Sequence, residues 1–243
     1  VIGFSRSQEP NDVFLPYKWI KERQDRFHFK KVDLNHDLGK LIEILVEEKP
    51  NYIVNFAALG MVAQSWERPE DWYQTNVVAQ VKLHDEISKF NFIKKYVHVT
   101  TPEVYGSTNG WISENFNFNP STPYAVSRAA CDMHLMSFFE AYKFPVVFTR
   151  AANVYGAGQQ LYRIIPRAIL YARLGKKLLL HGDGTSERSF VHMNDVSDAT
   201  YRIALNGTAG TTYHISTKET ISIRDLVMKI CKLINVNFTE LVE

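Results

Sequence analysis

Two side chains that could move a proton lie four residues apart in the segment Tyr124-Ala-Val-Ser-Arg128. Residues at this spacing share one face of a helix, so the phenol and the guanidinium should project the same way. A free phenol has a pKa of about 10, and a nearby cation favours its ionised form. A phenolate can accept the proton of an alcohol that is being oxidised. The pair therefore predicts a proton-transfer site, although a surface helix with a solvated arginine has the same spacing.

A threonine and a glutamate follow a predicted buried strand in the segment Thr101-Pro-Glu103. Thr101 could hydrogen-bond a substrate hydroxyl, and Glu103 could remove a proton from carbon. A turn threonine and a solvated glutamate are the alternative interpretation of these residues. Pro102 cannot donate a ladder hydrogen bond, so the strand should bend or end there in either case.

Two arginines are candidates for phosphate binding. The segment Ser5-Arg6-Ser7 follows the first predicted strand. Its guanidinium and hydroxyls suit the 2′-phosphate of NADP, and the acidic residue expected for the ribose of NAD is missing. Arg188 follows the glycine-containing segment 182–187 and could hold a diphosphate. A polar turn and a surface arginine are the alternatives. The eight histidines have no zinc-ligand spacing, so the sequence predicts no metal site.

Hydrophobic periodicity predicts strands that alternate with helices, which is typical of an α/β, Rossmann-like doubly wound parallel sheet. Ligands in such sheets bind at the carboxyl ends of the strands, where we expect the polar clusters 5–7, 100–103 and 150–153. The predicted elements are strands 1–4, 27–32, 52–55, 95–100, 146–149, 177–180, 189–192 and 212–215, helices 36–49, 69–89, 123–142, 164–174, 194–204 and 221–234, and a turn at 181–184.

The pattern changes after Tyr155, which predicts two domains. Residues 1–154 should form the dinucleotide-binding domain, with residues 189–205 returning to it. Residues 155–188 and 206–243 should form a smaller substrate-binding lobe.

The composition narrows the class of protein. The chain has 243 residues, is 45% hydrophobic and carries a net charge of +2, which favours neither nucleic acid nor a membrane surface as partner. Its two cysteines, Cys131 and Cys231, fall in predicted helices and are expected to be buried thiols in a reducing compartment. We therefore expect a cytoplasmic protein.

Several segments together resemble one family, the extended short-chain dehydrogenase/reductases, and within it the nucleotide-sugar 4,6-dehydratases of the GDP-mannose and dTDP-glucose type. They occur in the family's order over nearly the whole chain. The matching segments are Asp33-Leu34, residues 55–58, Gln64-Ser65 with Pro69, Asn76, residues 98–106, residues 123–128, residues 150–156, Gly182-Asp-Gly184 and residues 188–190.

The resemblance implies a role for each site residue. Tyr124 would be the active-site base, paired with Thr101 and with Arg128 at the family's lysine position. Glu103 would remove the sugar C5 proton. The cofactor would be NADP, or NAD, and its further contacts would be Ser5, Arg6, Ser7, Asp33, Leu34, Ala57 and Ala58. Substrate contacts would come from Asn153 and Arg188, which hold the nucleotide diphosphate, and from Ser65.

The sequence departs from the family pattern in three places. The glycine-rich loop that binds the pyrophosphate, and the strand before it, are expected to precede Val1. The chain also ends short of the family's usual C-terminus, so we expect it to be a piece of a longer protein. Arg128 replaces lysine, and Pro102 replaces the acid of the dTDP-glucose enzymes.

The predicted partner is a nucleotide-diphosphate sugar, and the predicted assembly, by analogy, is a homodimer. The predicted reaction gives a 4-keto-6-deoxy sugar through transient oxidation at C4. A 4-epimerase or a UDP-glucuronate decarboxylase on the same scaffold is one alternative, and a non-catalytic nucleotide-sugar-binding protein is another.

Overall fold

A computed structural model describes residues 1–20, 26–108 and 110–243 of the chain. These residues form two compact units. The first unit contains residues 1–10, 20–151 and 197–215, and the second contains residues 11–19, 152–196 and 216–243. The predicted domain boundaries stay a prediction.

The strands and helices alternate along the first 151 residues. In chain order the elements are β1 (Ile2–Ser5), β2 (His28–Lys31), α1 (Leu38–Glu48), β3 (Tyr52–Asn55), α2 (Gln64–Glu67), α3 (Pro69–Tyr73), α4 (Ala79–Ile87), β4 (Lys95–Thr100), α5 (Pro123–Tyr142), β5 (Val146–Ala151), β6 (Asn153–Tyr155), α6 (Ile164–Arg173), β7 (Glu187–Arg188), β8 (Phe190–His192), α7 (Met193–Asn206), β9 (Thr212–Ile215), β10 (Ile221–Ser222), α8 (Ile223–Ile234) and α9 (Phe238–Leu241).

The sheet of the first unit is parallel, as predicted. Four strands pair in the order β3-β4-β5-β9, and β1 pairs with β2 in a separate parallel ladder. Val97 and Val147 pack on one face of the sheet, against Ala204 of α7. Tyr96 and Phe148 point to the opposite face, where they join the core that α1, α4 and α5 cover. Helices therefore cover both faces of the sheet, which explains why its strands are rich in β-branched and aromatic residues.

Helix α5 has clear local signals at both ends. The Thr122 hydroxyl accepts a hydrogen bond from the Ala125 amide at 3.1 Å, and Pro123 occupies the first turn, where its missing N–H costs nothing. The helix ends at Tyr142, and Lys143 follows in a left-handed conformation.

One turn of π-helix, Gln74–Val78, lies between α3 and α4. The sequence predicts a single helix over this region, and the extra residue in the turn is what that prediction missed. Asn76 lies in this turn and is fully buried. Such turns are rare and are frequently found at functional sites.

The second unit has its own core. Helices α6 and α8 pack together, β6 pairs with β8 in parallel, and β7 pairs with β10 antiparallel. The core residues are Ala168, Leu178, Leu180, Val227, Ile230, Cys231 and Leu241.

Three further predictions differ from the structure. The strand over 177–180 is wrong, because Leu178 makes only an isolated bridge to Val242 and packs in the helical core. Residues 221–222 form β10, and the helix begins at Ile223. Strand β5 continues to Ala151, so Arg150 lies inside the strand and is not part of a polar cluster after its end. Within the described residues, none of the helices combines the length and the apolar character that crossing a membrane requires.

Candidate active site

The strand end after β4 carries the first pair of predicted catalytic residues. A 3-10 turn, Pro102–Tyr105, begins directly after Thr101. The Thr101 hydroxyl caps this turn by accepting a hydrogen bond from the Glu103 amide at 3.3 Å. Thr101 is buried and Glu103 is exposed. The turn therefore presents a carboxylate at the end of a buried strand, and Pro102 starts it.

A close backbone approach ties this turn to the start of α5. The Asn119 amide donates to the Val104 carbonyl at 2.9 Å. Gly106 has a φ of +71°, and a Cβ added there would lie 2.1 Å from the Asn119 carbonyl oxygen. Only glycine fits this contact without displacing the backbone. The Glu103 turn is thereby held beside the segment that leads into the Tyr124 helix.

Hydrogen bonds also fix the first turn of α5. The Tyr124 amide donates to the Ser65 hydroxyl at 3.2 Å, and Ser65 donates in turn to the Val62 carbonyl at 2.6 Å. Asn76 donates to the Ser127 hydroxyl at 3.0 Å. Ser65 is thus a buried anchor for the tyrosine helix, and its predicted contact with substrate stays a prediction.

Arg128 is turned inward from the same helix. Its guanidinium is 2% exposed. It donates to the Val99 carbonyl, and its Nη2 lies 3.3 Å from His98 Nε2. Its Nε and Nη1 have no hydrogen-bond partner among the described residues. A buried guanidinium with unused donors is a candidate for contact with a ligand.

A buried ionic network lies behind Arg128, and the sequence reasoning did not predict it. Asp132 Oδ2 accepts a hydrogen bond from Arg150 Nη2 at 3.0 Å, and Asp132 Oδ1 lies 3.4 Å from His98 Nε2. Burial alone would raise the pKa of Asp132, but His98 and the guanidiniums of Arg150 and Arg128 hold it below its ordinary value. The alternation of polar residues along one face of β4 was the available signal.

The predicted cofactor residues lie at the ends of β1, β2 and β3. Residues 5–7 are exposed at the end of β1. The pKa of Asp33 is lowered, first because its carboxylate accepts a hydrogen bond from the Asn35 amide, and also by the nearby charge of Arg6. Of the nearby cationic groups, His36 is the closer contact of Asp33, with its Nδ1 3.5 Å from the carboxylate, and Arg6 has the smallest effect. Leu34 packs partly buried against the core.

The two alanines after β3 are held by buried amides. The Ala57 amide donates to the Asn55 side chain at 2.9 Å, and its carbonyl accepts from Gln80 at 2.8 Å. Ala57 is exposed and Ala58 is half-buried. This leaves a small-residue backbone surface at the strand end, where a cofactor could approach closely.

In the second unit, the structure brings together the two residues predicted to bind the diphosphate. The Asn153 side-chain amide donates to the Ser189 carbonyl at 3.2 Å, and Arg188 directly precedes Ser189. Asn153 and Arg188 are both exposed. Their position on the paired strands β6–β8 and β7–β10 leaves an amide and a guanidinium available to an anion.

A parallel sheet with polar side chains at its strand ends is the usual platform for a dinucleotide. A tyrosine in the first turn of the following helix, with a cation one turn later, places this protein in the class of extended short-chain dehydrogenase/reductases. A comparison with family profiles assigns the chain to one family within this class. The sequence profile described as "GDP-mannose 4,6 dehydratase" matches residues 7–242, and the chain belongs to this NAD-dependent epimerase/dehydratase family.

Relatives and solved structures agree with this family. The chain is 33% identical to the mouse dTDP-D-glucose 4,6-dehydratase over 94% of the chain and 61% of the mouse protein. It is 32% identical to an Arabidopsis thaliana trifunctional enzyme that includes a UDP-glucose 4,6-dehydratase, over 87% of the chain and 32% of that enzyme. It thus spans about a third of the plant enzyme's length and 61% of the mouse protein's length.

The fold matches a solved dehydratase. The crystal structure of the Bacillus anthracis dTDP-glucose 4,6-dehydratase in complex with NAD is 30% identical. The match covers all of this chain and 74% of that one, with a TM-score of 0.84. The α/β fold with parallel sheets is therefore confirmed.

Proposed function

We propose that the protein carrying this chain is a nucleotide-sugar 4,6-dehydratase, a lyase that forms a 4-keto-6-deoxy sugar nucleotide. The observation that carries the proposal is the backbone clasp between Val104 and Asn119. It joins the turn that presents Glu103 to the segment that starts the Tyr124 helix, so a phenol and a carboxylate can serve one sugar ring. Family membership supports the same reaction.

The chemistry divides among three residues. Tyr124, as phenolate, accepts the proton of the sugar C4 hydroxyl, and Thr101 shares the hydrogen bond to that oxygen. A ketone at C4 makes the C5 proton acidic, and Glu103 removes it. Because Pro102 has no proton to give, Glu103 also returns its proton to the C6 hydroxyl as water leaves. When hydride reaches C6, C5 takes up one proton, which balances the proton that Tyr124 accepted from the C4 hydroxyl.

The chemistry that NADP would supply when bound is that of a hydride acceptor for C4 and a hydride donor for C6. Two features of the chain fit a dinucleotide. The Nε and Nη1 donors of Arg128 are buried and without a partner among the described residues, which suits a polar ligand atom near Tyr124. Ala57 and Ala58 leave room for the ribose and the phosphates after β3. Arg128 would then orient the cofactor and favour the Tyr124 phenolate.

We expect Arg6 to determine whether the protein prefers NADP or NAD. Its guanidinium, with the hydroxyls of Ser5 and Ser7, would bind the 2′-phosphate of NADP, and Asp33 and Leu34 would contact the adenine. The Bacillus anthracis relative was solved with NAD. The preference for NADP is thus our proposal for this chain, and it differs from the cofactor in that relative.

Replacing Arg6 with Ala should raise the KM for NADP by about 10-fold or more, because a charge-assisted contact contributes about 1.5–3 kcal/mol. The KM for NAD should change little. Lys49→Ala, at an exposed lysine of the same unit, is the control. Equal KM values for NADP in Arg6→Ala and the unchanged protein would assign the preference elsewhere.

We also propose that a further parallel strand belongs between β1 and β3. Each of these strands pairs on one side only within the described residues. Phe4, Tyr52 and Val54 are 37%, 43% and 38% exposed, although strands of parallel sheets are normally covered. The proposed strand would restore one continuous sheet and bring the turn that binds the pyrophosphate.

Asn153 and Arg188 would bind the diphosphate of the substrate, since an amide and a guanidinium suit its oxygens. The related proteins are named for dTDP-D-glucose and UDP-glucose. A homodimer is proposed through the outer faces of α3 and α5, where Tyr73 and Met133 are 38% and 56% exposed. The buried free thiols suit a reducing compartment such as the cytoplasm.

The test of the reaction is Glu103→Gln in the full natural protein. This variant should still oxidise C4, seen as transient cofactor reduction, while loss of water falls by at least about 100-fold. Glu67→Gln, at an exposed glutamate, is the matched control. Mass spectrometry of the product distinguishes loss of water from loss of carbon dioxide or no change. Full dehydration by Glu103→Gln would remove this residue from the mechanism.

A further inference from the structure

Three side chains that commonly bind metals meet inside the first unit. His84 comes from α4, His98 from β4 and Cys131 from α5. One ring nitrogen of each histidine and the Cys131 sulfur all lie within 4.8 Å of one another. All three side chains are 0% exposed. The sequence prediction of no metal site used spacing along the chain, which cannot detect ligands from three separate elements.

Each imidazole has one nitrogen in use and one without a partner. His84 Nε2 lies 2.9 Å from the Tyr96 hydroxyl. His98 Nε2 lies 3.3 Å from Arg128 Nη2 and 3.4 Å from Asp132 Oδ1. The Nδ1 atoms of His84 and His98 have no hydrogen-bond partner among the described residues. Leaving a buried polar group unpaired costs about 1–3 kcal/mol. Histidines that bind metals typically show this division, with one nitrogen on a hydroxyl or carboxylate and the other on the metal.

The surrounding charges restrict the kind of ion. The Arg128 guanidinium lies beside His98 and has no carboxylate partner among the described residues. The Cys131 thiol is fully buried, and a bound cation would replace its proton. A monovalent ion on a thiolate adds no net charge next to Arg128, whereas a divalent ion adds one positive charge. Two imidazoles and one thiolate form a donor set for thiophilic ions.

We propose that His84, His98 and Cys131 form a binding site for one thiophilic d10 cation, Cu⁺ or Zn²⁺, with Cu⁺ favoured by the charge balance. Binding replaces the thiol proton by a metal–sulfur bond and releases one proton to solvent. No electron is transferred. Metal–ligand bonds of about 2.0–2.3 Å require the three ligand atoms to approach by about 1 Å, which small side-chain rotations can supply. The site would join α4, β4 and α5 at the level of the helix that carries Tyr124.

The proposal does not depend on the dehydratase reaction, and its test does not use activity. The full natural protein is refolded with one equivalent of Cu⁺ under anaerobic conditions, or of Zn²⁺, and its metal content is measured after desalting. We expect about one equivalent of metal per chain in at least one of the two separate experiments, with Cu⁺ or with Zn²⁺. X-ray absorption on the unchanged protein should report one sulfur and two nitrogen ligands.

Two cysteine variants provide the matched comparison. Cys131→Ser should lose at least about 10-fold of the bound metal, and Cys231→Ser, at the buried thiol of the second unit, should keep it. Less than about a tenth of an equivalent on the unchanged protein would overturn the site. Equal metal in the two variants, or an absorption spectrum without sulfur, would also overturn it. Because the absorption measurement uses the unchanged protein, a Cys131→Ser variant that fails to fold leaves the proposal testable.

Discussion

Two arginines are buried within the same unit, and their surroundings are opposite. Arg150 bonds the Asp132 carboxylate, donates to the Asn115 carbonyl at 2.9 Å and packs over the rings of Tyr105 and Phe118. Arg128 has a backbone carbonyl and a histidine nitrogen, with two donors unused. A buried guanidinium that is paired with a carboxylate stabilises the fold, whereas one without such a pair has donors that can bind a ligand.

The difference has an energetic basis. A buried cation is tolerated when a carboxylate and further hydrogen bonds satisfy it, and removing one partner leaves the other charge unpaired. The Arg150 region meets most of this condition, since the guanidinium has a carboxylate partner and only its Nε lacks a hydrogen-bond partner among the described residues. The Arg128 region does not, so Arg128 should contribute little to stability in the absence of ligand. Three changes test this contrast.

The largest expected effect comes from Arg150→Met. It leaves Asp132 charged, buried and without its guanidinium partner, so the free energy of unfolding should fall by about 3–5 kcal/mol. Urea unfolding measures the loss. Arg202→Met, which breaks an exposed pair with Asp198, should cost at most about 1 kcal/mol. Similar losses in the two variants would mean that burial does not distinguish them.

An intermediate effect is expected from pH. Burial lowers the pKa of His84 well below its ordinary value, and the nearby charges of His98, His134 and Arg128 act in the same direction. In the unfolded chain His84 therefore takes up a proton near pH 6.5, whereas in the folded chain it stays neutral at that pH. Stability that is present above this pH should be lost as the pH falls below it.

Urea unfolding between pH 7 and 5, with a metal chelator present, measures this dependence. His84→Phe should flatten the slope, and His36→Phe, at an exposed histidine, should not. Asp132 acts in the same direction at lower pH, since its lowered pKa makes stability fall as the pH drops below about 4. An unchanged slope in His84→Phe would show that this imidazole is charged in the folded protein.

The smallest effect on stability is expected from Arg128→Met. Removing a buried charge that lacks a counter-ion should change the free energy of unfolding by less than about 1 kcal/mol. Affinity for NADP should nevertheless fall by at least about 10-fold, measured by calorimetry. A loss of stability as large as that of Arg150→Met would contradict the contrast between the two regions.

The sequence predicted elements best where local signals are complete. The bounds of β3, β4 and α5 agree with the structure, because Thr122 and Pro123 start a helix by local chemistry and the strands are short apolar runs. Residues 177–180 were predicted as a strand because one lysine and three leucines fit a strand as well as a core segment. Tertiary packing against α8 decided between them.

The residues of the candidate site also fall into two groups, those that local sequence signals predict and those that only tertiary contacts bring together. Tyr124, Thr101 and Glu103 could be placed at strand and helix ends from the sequence, because those positions follow from local structure. The network of His84, Tyr96, His98, Asp132 and Arg150 could not, since its contacts join separate elements through space. Only the alternation of Tyr96, His98 and Thr100 along one strand face hinted at a polar layer.

The π-helical turn at Gln74–Val78 fixes the rotational phase of α4 relative to α3. One residue more or fewer in a helix turns everything beyond it by about 100°. Deleting a single residue there would give a regular helix of better intrinsic geometry, yet would swing Leu83 and Ile87 out of the core and Asn76 away from Ser127. The irregular turn therefore sets which face of α4 points into the core. Among insertions and deletions in the helices of this chain, those in this turn should reduce stability the most.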